Sequence, residues 1–231
     1  MLLVPLGATE QHGPHLPLDT DTIVAVAWAE AVAARVPGSL VAPPLPYGSS
    51  GEHQGFAGTL SIGADALRTV VVELTRSAAA TFAAVVYLCG HGGNTVPLDS
   101  AVTQLRREGH RVAALVPSWG ERFAPVDAHA GRIETSLMLH LAPGAVAVDR
   151  AAPGVTAPLS ELLDALVTRG MAAVTANGVL GDPGGATADL GRRLLADLTD
   201  RSVAEIRRLL DAAGGRHDTG PTGSRPSPGA V

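Results

Sequence analysis

Leu2-Leu3-Val4-Pro5-Leu6-Gly7, followed after two residues by Glu10-Gln11-His12-Gly13-Pro14-His15-Leu16-Pro17-Leu18-Asp19-Thr20-Asp21, decides how the chain is read. The first run is apolar, of strand length, and closes on a glycine, the pattern of a buried strand ending in a turn. The second places two histidines and three carboxylates among Gly13, Pro14 and Pro17. Polar groups gathered just past a buried strand stand where open α/β sheets build their sites. Glu10 and His12 are two apart, so in extended chain both side chains point the same way. Asp21 follows a proline-stiffened turn that can bring it back toward them. Carboxylate oxygens mixed with imidazole nitrogens suit Zn²⁺, Mn²⁺ or Fe²⁺. A plainer reading has Asp19 or Asp21 capping the helix that begins near Ile23. It accounts for one cap and leaves the rest of the cluster unexplained.

Outward from this stretch, strands alternate with helices. The alanine-rich run Thr22–Val36 predicts a helix, stopped by Pro37-Gly38, and Ser39–Ala42 a short strand closed by Pro43-Pro44. A long loop over 46–59 carries Glu52, His53 and Phe56, and a loop of that length in a compact domain points to function. Ala64–Ala80 reads as a helix, Ala83–Leu88 as a continuous apolar strand, Thr95–Glu108 as a helix with Gly109 at its C-cap, and Arg111–Val116 as another strand. A short helix ends near Leu141, Ala157–Arg169 follows, and Asp189–Ala213 is the last, amphipathic one. Repeated strand–helix–strand units imply right-handed crossovers. The expected fold is α/β, a three-layer α/β/α sandwich around a mainly parallel sheet. Residues 1–213 form one domain, and the Gly-, Pro- and Ser-rich residues 214–231 a disordered tail that includes His217.

Composition removes several function classes. Of 231 residues 46% are apolar, enough for a substantial core. Aromatics make up only 3% and the net charge is −5 without a basic run, so neither base stacking nor phosphate-backbone binding is expected. No apolar stretch approaches the roughly 20 residues that span a bilayer, and no signal-peptide pattern opens the chain. The lone Cys89 leaves no intramolecular disulfide and suits the cytoplasm.

Two further motifs supply chemistry. Cys89-Gly90-His91-Gly92-Gly93-Asn94 follows the strand at 83–88, and its glycines allow close approach to a ligand, although no phosphate-loop pattern is present. His129 and Glu134 lie five apart at a loop-to-helix junction, where Glu134 is otherwise an ordinary first-turn acid. His15 reads as a residue that fixes the loop, His110 and His140 as structural, and Cys89 as a buried, inert thiol. Glu10, His12, Asp21, His91 and Glu134 are then five ligand types. That is too many for one tetrahedral zinc with an open position, and suits two metals bridged by a carboxylate. Such a pair, about 3.5–4 Å apart, acidifies a shared water toward a pKa of ~7. His129 is placed to pass a proton to a leaving nitrogen, and Glu134 to assist it. The chemistry this predicts is hydrolysis of an amide-type C–N bond.

Taken together, Glu10-Gln11-His12-Gly13 with Leu16-Pro17-Leu18-Asp19-Thr20-Asp21, Gly51-Glu52-His53 with Phe56-Ala57-Gly58-Thr59, Gly90-His91-Gly92-Gly93-Asn94, and His129-Ala130-Gly131 with Glu134-Thr135-Ser136 resemble the creatininase (creatinine amidohydrolase) family over nearly the whole chain to about residue 190. The resemblance implies an α/β/α fold, a dinuclear metal amidohydrolase and a symmetric homo-oligomer, a hexamer or octamer. It puts Glu10, His12, Asp21 and His91 on metal ligands, with Asp21 bridging, and His129 on a catalytic histidine. True creatininases carry Tyr-Glu after the Gly-His, with that Glu on the second metal. Here the positions are Gly92-Gly93, and Glu134 is the candidate replacement. Glu52, His53 and Trp119 are the candidate substrate contacts, and Trp119 is the one tryptophan near the motifs, too little aromatic surface to enclose creatinine. The Gly51–Phe56 motif most resembles the mycofactocin-system branch, peptidases that remove a modified C-terminal dipeptide from a small precursor peptide. The alternative is a small-molecule amidohydrolase acting on creatinine or a formamide, since formamide hydrolases share Gly-His-Gly-Gly-Asn. A third reading is a catalytically dead binding module on the same fold.

Overall fold

The structure, a computed structural model, describes residues 1–117 and 127–214. Among the described residues four strands, β1 (Leu2–Leu6), β2 (Leu40–Val41), β3 (Val85–Cys89) and β4 (Val112–Leu115), form one parallel sheet in the order β2-β1-β3-β4. Every residue of β1 and β3 is buried, which is why both read as unbroken apolar runs. Alternate side chains face opposite layers. Leu2, Val4, Leu6, Val85, Tyr87 and Cys89 pack on α2 (Ala64–Ala78) and α3 (Thr95–Arg107). Leu3, Val86 and Leu88 pack on α1 (Thr20–Ala33) and α6 (Ala188–Gly214). The three-layer sandwich is therefore present as expected.

Two buried polar side chains tie these layers together. The Trp28 indole N–H donates to Ser202 Oγ at 2.9 Å, joining α1 to α6, and the Tyr87 hydroxyl donates to the Val71 carbonyl at 3.1 Å. At the C-terminal end of the strands, α4 (Arg132–Leu141) packs against α1 and α6 through Ile133, Leu137 and Met138. Beside it, α5 (Leu159–Arg169) rests on Met171 and Leu180 through Leu166.

Element boundaries shift in informative ways. Helix α1 begins at Thr20, two residues before the expected start, and this puts Asp21 in its first turn. Asp19 stands at the N-cap position with no side-chain cap hydrogen bond, so the plain capping reading of the Asp-Thr-Asp run fails. Strand β2 is only two residues long, because Pro43 and Pro44 have no N–H to continue the ladder. Helix α6 runs through Gly214, one residue beyond its expected end, and residues 215–231 lie outside the described residues.

Parallel pairing sets Leu6 beside Cys89, so Gly7 and Gly90 leave the sheet at the same level. A Cβ on Gly7 would lie 2.6 Å from Thr22 Cα, and one on Gly90 2.5 Å from the Asp21 carbonyl oxygen. The first turn of α1 thus sits directly on the ends of the two central strands. Gly90→Ala is expected to cost about 1–3 kcal/mol, because a backbone oxygen must move to admit the methyl group. Gly144→Ala, where nothing lies within 4 Å of the added carbon, should stay within about 0.5 kcal/mol of the parent. Urea unfolding followed by circular dichroism measures both.

Candidate metal centre

The loop between β1 and α1 is tied back on itself: the Glu10 N–H donates to the Leu18 carbonyl at 2.9 Å, and Leu60 N–H to the Thr9 carbonyl at 2.8 Å. This turns Glu10 and His12 inward, both fully buried. His12 Nδ1 donates to the Glu10 carbonyl at 3.2 Å. Its Nε2 stands 3.1 Å from Asp21 Oδ1, which accepts a hydrogen bond from the protonated ring, and 3.9 Å from Glu134 Oε2. From the end of β3, His91 brings Nε2 to 3.1 Å from Glu10 Oε2 and Nδ1 to 3.5 Å from Asp21 Oδ2. Asp21 thus offers one oxygen to each of two imidazoles.

Glu10 Oε1 lies 3.3 Å from His53 Nε2 and 3.8 Å from His129 Nδ1. Both Glu10 oxygens and Asp21 Oδ2 are buried without a hydrogen-bond donor aligned on them. Such orphans are rare in a folded protein unless an ion satisfies them. Three groups of donors, Glu10–His12–Asp21, His12–His129–Glu134 and Glu10–His53–His129, lie within 4.8 Å of one another. The donor set and its unpaired oxygens fit divalent cations.

The electrostatics say the same. Burial opposes charge on His12, but Asp21, then Glu134 and Glu10, outweigh it and push the imidazole up to about 10. Burial likewise opposes charge on His91, and Glu10, Glu52 and Asp21 raise it well above the ordinary range. Asp21 is pushed up to about 6, chiefly by burial, with Glu10 adding to it. The pocket draws positive charge to its carboxylates. His53 goes the other way, down to about 2, through burial first and His129 second, and His129 is lowered by burial and His12.

Gln11 organises those two neutral imidazoles. His129 Nε2–H donates to the Gln11 carbonyl at 2.8 Å, which leaves Nδ1 as the acceptor facing Glu10. The Gln11 amide then donates to His53 Nδ1 at 3.0 Å and to the Gly178 carbonyl at 3.1 Å. His53 therefore carries its proton on Nε2, 3.3 Å from Glu10 Oε1 but not aligned for a hydrogen bond. The His129 backbone exchanges hydrogen bonds with Leu180 at 3.0 and 2.9 Å. Ala130, buried, then takes φ +52°, a strained conformation for a residue with a Cβ. The turn aims its N–H at Glu134 Oε2, 2.5 Å away.

All five expected ligands, Glu10, His12, Asp21, His91 and Glu134, come together, and His129 with them. His53, only 4% exposed, lines the cleft and also the donor cluster on Glu10. Glu52 stands at the mouth, and Trp119 lies outside the described residues. His15 Nε2 pairs with Thr135 Oγ1 at 2.9 Å and fixes the loop to α4, as its context suggested. Gln11 and Asn94 escaped the sequence reading. Asn94 donates to the Gly7 carbonyl at 2.9 Å and accepts from the Ser49 N–H at 2.7 Å, tying strand end to loop. Its place at the end of the Gly-His-Gly-Gly-Asn motif was the available signal.

A cleft of about 920 Å³ opens onto Glu52, His53, His91 and His129, with an apolar wall from Leu163, Leu166 and Val167 of α5. Among the described residues, no helix is long and apolar enough to cross a membrane. Asp21→Ala removes the one carboxylate shared by His12 and His91, and metal affinity measured by chelator competition should fall at least about 100-fold. Cys89 is wholly buried, donates to the His91 carbonyl at 3.1 Å, and burial pushes its thiol up to about 11. It should resist a thiol reagent at pH 8 in the native protein and react stoichiometrically after denaturation.

Comparison with known proteins agrees with this geometry. Residues 1–206 match the creatininase family, described as creatinine amidohydrolase. The mycofactocin precursor peptide peptidase of Mycobacterium ulcerans (strain Agy99) is 52% identical over 216 residues, 90% of this chain and 84% of its own. The creatinine amidohydrolase of Pseudomonas putida is 33% identical over 176 residues, 65% and 67% of the two chains. Among solved structures, a mutant creatininase of Zn-Zn type is 30% identical with a TM-score of 0.75, covering 90% of both chains. Another, named creatininase Mn, is 29% identical with a TM-score of 0.74 over the same shares. The chain belongs to the creatininase family of metal-dependent amide hydrolases.

Proposed function

We propose that this chain is a dinuclear-metal peptidase that releases the modified C-terminal dipeptide from the mycofactocin precursor peptide in the cytoplasm. The observation that carries the reading is the 52% identity to the Mycobacterium ulcerans peptidase across 90% of the chain, against 33% across 65% for the creatinine hydrolase. The cleft supports it: about 920 Å³ with an apolar wall accepts the end of a peptide, far more than a small heterocycle fills.

Glu10, His12, Asp21, His91 and Glu134 would hold two Zn²⁺, Mn²⁺ or Fe²⁺ ions. Bound there, a cation pair supplies Lewis-acid polarisation of the scissile carbonyl and a water acidic enough to act as nucleophile at neutral pH. The chain's own part is proton traffic and orientation. With Nε2–H pinned to the Gln11 carbonyl, His129 has one free nitrogen, Nδ1, turned toward Glu10 and the cleft. It takes the proton released as water adds and returns it to the leaving amide nitrogen, which departs as the free amine. His53, fixed by Gln11, keeps Nε2 3.3 Å from Glu10 Oε1 without an aligned hydrogen bond.

Metal-loaded protein incubated with the modified precursor peptide should release the dipeptide, seen by mass spectrometry, and leave creatinine unchanged. Turnover of creatinine and not of the peptide would overturn the assignment. Dialysis against a chelator should abolish activity, and added metal restore it. His129→Gln should lower kcat by roughly 10²–10⁴ with metal content unchanged.

A further inference from the structure

We propose that Glu52 is a metal ligand, a carboxylate delivered from the loop before α2 into the space above Gly93. This rests on the two-metal reading of the site. The donors divide into two sides about Asp21. On one, Oδ1 of Asp21 meets His12 Nε2, with Glu134 Oε2 3.9 Å from that nitrogen. On the other, Oδ2 of Asp21 lies 3.5 Å from His91 Nδ1, and Glu10 Oε2 lies 3.1 Å from His91 Nε2. Glu134 stands on the His12 side and Glu10 on the His91 side, so each side has one carboxylate besides Asp21.

Glu52 reaches the His91 side. Its Oε1 is 3.4 Å from His91 Nε2 and 3.9 Å from His53 Nε2. A Cβ on Gly93 would overlap this same Oε1 and would fall 2.6 Å from the Ser49 carbonyl oxygen. Position 93 therefore carries no side chain, and the carboxylate comes from across the cleft. The turn that carries it is anchored: the Ser49 N–H donates to Asn94 Oδ1 at 2.7 Å, the Ser50 N–H to Ser61 Oγ at 2.9 Å, and the His53 N–H to the Ser50 carbonyl at 3.1 Å. The independent sign is Glu10, fully buried, with neither oxygen hydrogen-bonded, sharing the nitrogen on which Glu52 converges. Two carboxylates converging on one imidazole nitrogen repel each other unless a positive charge lies between them, and a metal ion held by both supplies more of it than the imidazolium alone.

The test is metal binding by the full chain, followed by Zn²⁺ titration against a chelator and by the visible absorption of the Co²⁺-loaded protein. Wild type should take two equivalents. Glu52→Gln, a substitution at a side chain 30% exposed and so tolerated by the fold, should keep one at wild-type affinity. Its second should weaken at least tenfold, with Co²⁺ bands shifted in position and intensity as a ligand is lost. Two equivalents at unchanged affinity with an unchanged Co²⁺ spectrum, and only a raised KM for the peptide, would overturn the proposal and leave Glu52 as a substrate contact. Fewer than two equivalents in wild type would count against the two-metal reading itself. Glu52 is then judged on the remaining ion, supported by a shifted Co²⁺ spectrum in Glu52→Gln and overturned by an unshifted one.

Discussion

The centre depends on how closely the first turn of α1 can approach the ends of β1 and β3. Gly7 and Gly90 leave the sheet side by side, and the absence of two Cβ atoms lets Thr22 and the Asp21 backbone rest on the strand ends. From that seat the Asp21 carboxylate stands between His12, on the loop after β1, and His91, on the loop after β3. A side chain at either glycine would lift the helix by more than the tolerance of a coordination shell, since ligand distances are set within a few tenths of an ångström.

A second constraint is charge. Glu10 and Asp21 are almost entirely removed from water, where an unpaired carboxylate is costly. The fold answers with an asymmetric set of imidazoles. His12 and His91 are drawn toward the charged form by their carboxylate neighbours, while His53 and His129 are kept neutral by burial and by each other. One residue, Gln11, decides which nitrogen each neutral ring turns inward, using both amide hydrogens and its backbone carbonyl. The division between charge-accepting and neutral rings separates side chains suited to holding cations from one suited to carrying a proton.

Much of this was legible in the sequence because it depends on short-range pattern. The continuous apolar runs at Leu2–Leu6 and Val85–Cys89 are buried on both faces, and ligand types follow each. Glu10, His12 and Asp21 lie within one loop and one helix turn, so their convergence is nearly local. What escaped depends on long-range placement. His53 contacts Glu10 across 43 positions, and Gln11 meets His129 across 118, so neither role leaves a local trace. The start of α1 was misplaced by two residues because Thr20 and Asp21 resemble capping residues; their side chains instead go to the Pro17 carbonyl and to His12. The approach of Glu52 to the space above Gly93 is readable only once the 46–59 loop is seen folded over the strand ends.

The cluster draws its members from distant parts of the chain, residues 10–21 on one side and 129–134 on the other, with His91 between them. A cation held there joins segments more than a hundred positions apart, and so restricts the unfolded chain in the way a long-loop crosslink does. The strained Ala130 turn and the docking of α4 gain most from that clasp, since Glu134 is bound to both. A bound cation would therefore also lock the turn and helix that carry Glu134, and its supply would set how long the fold persists.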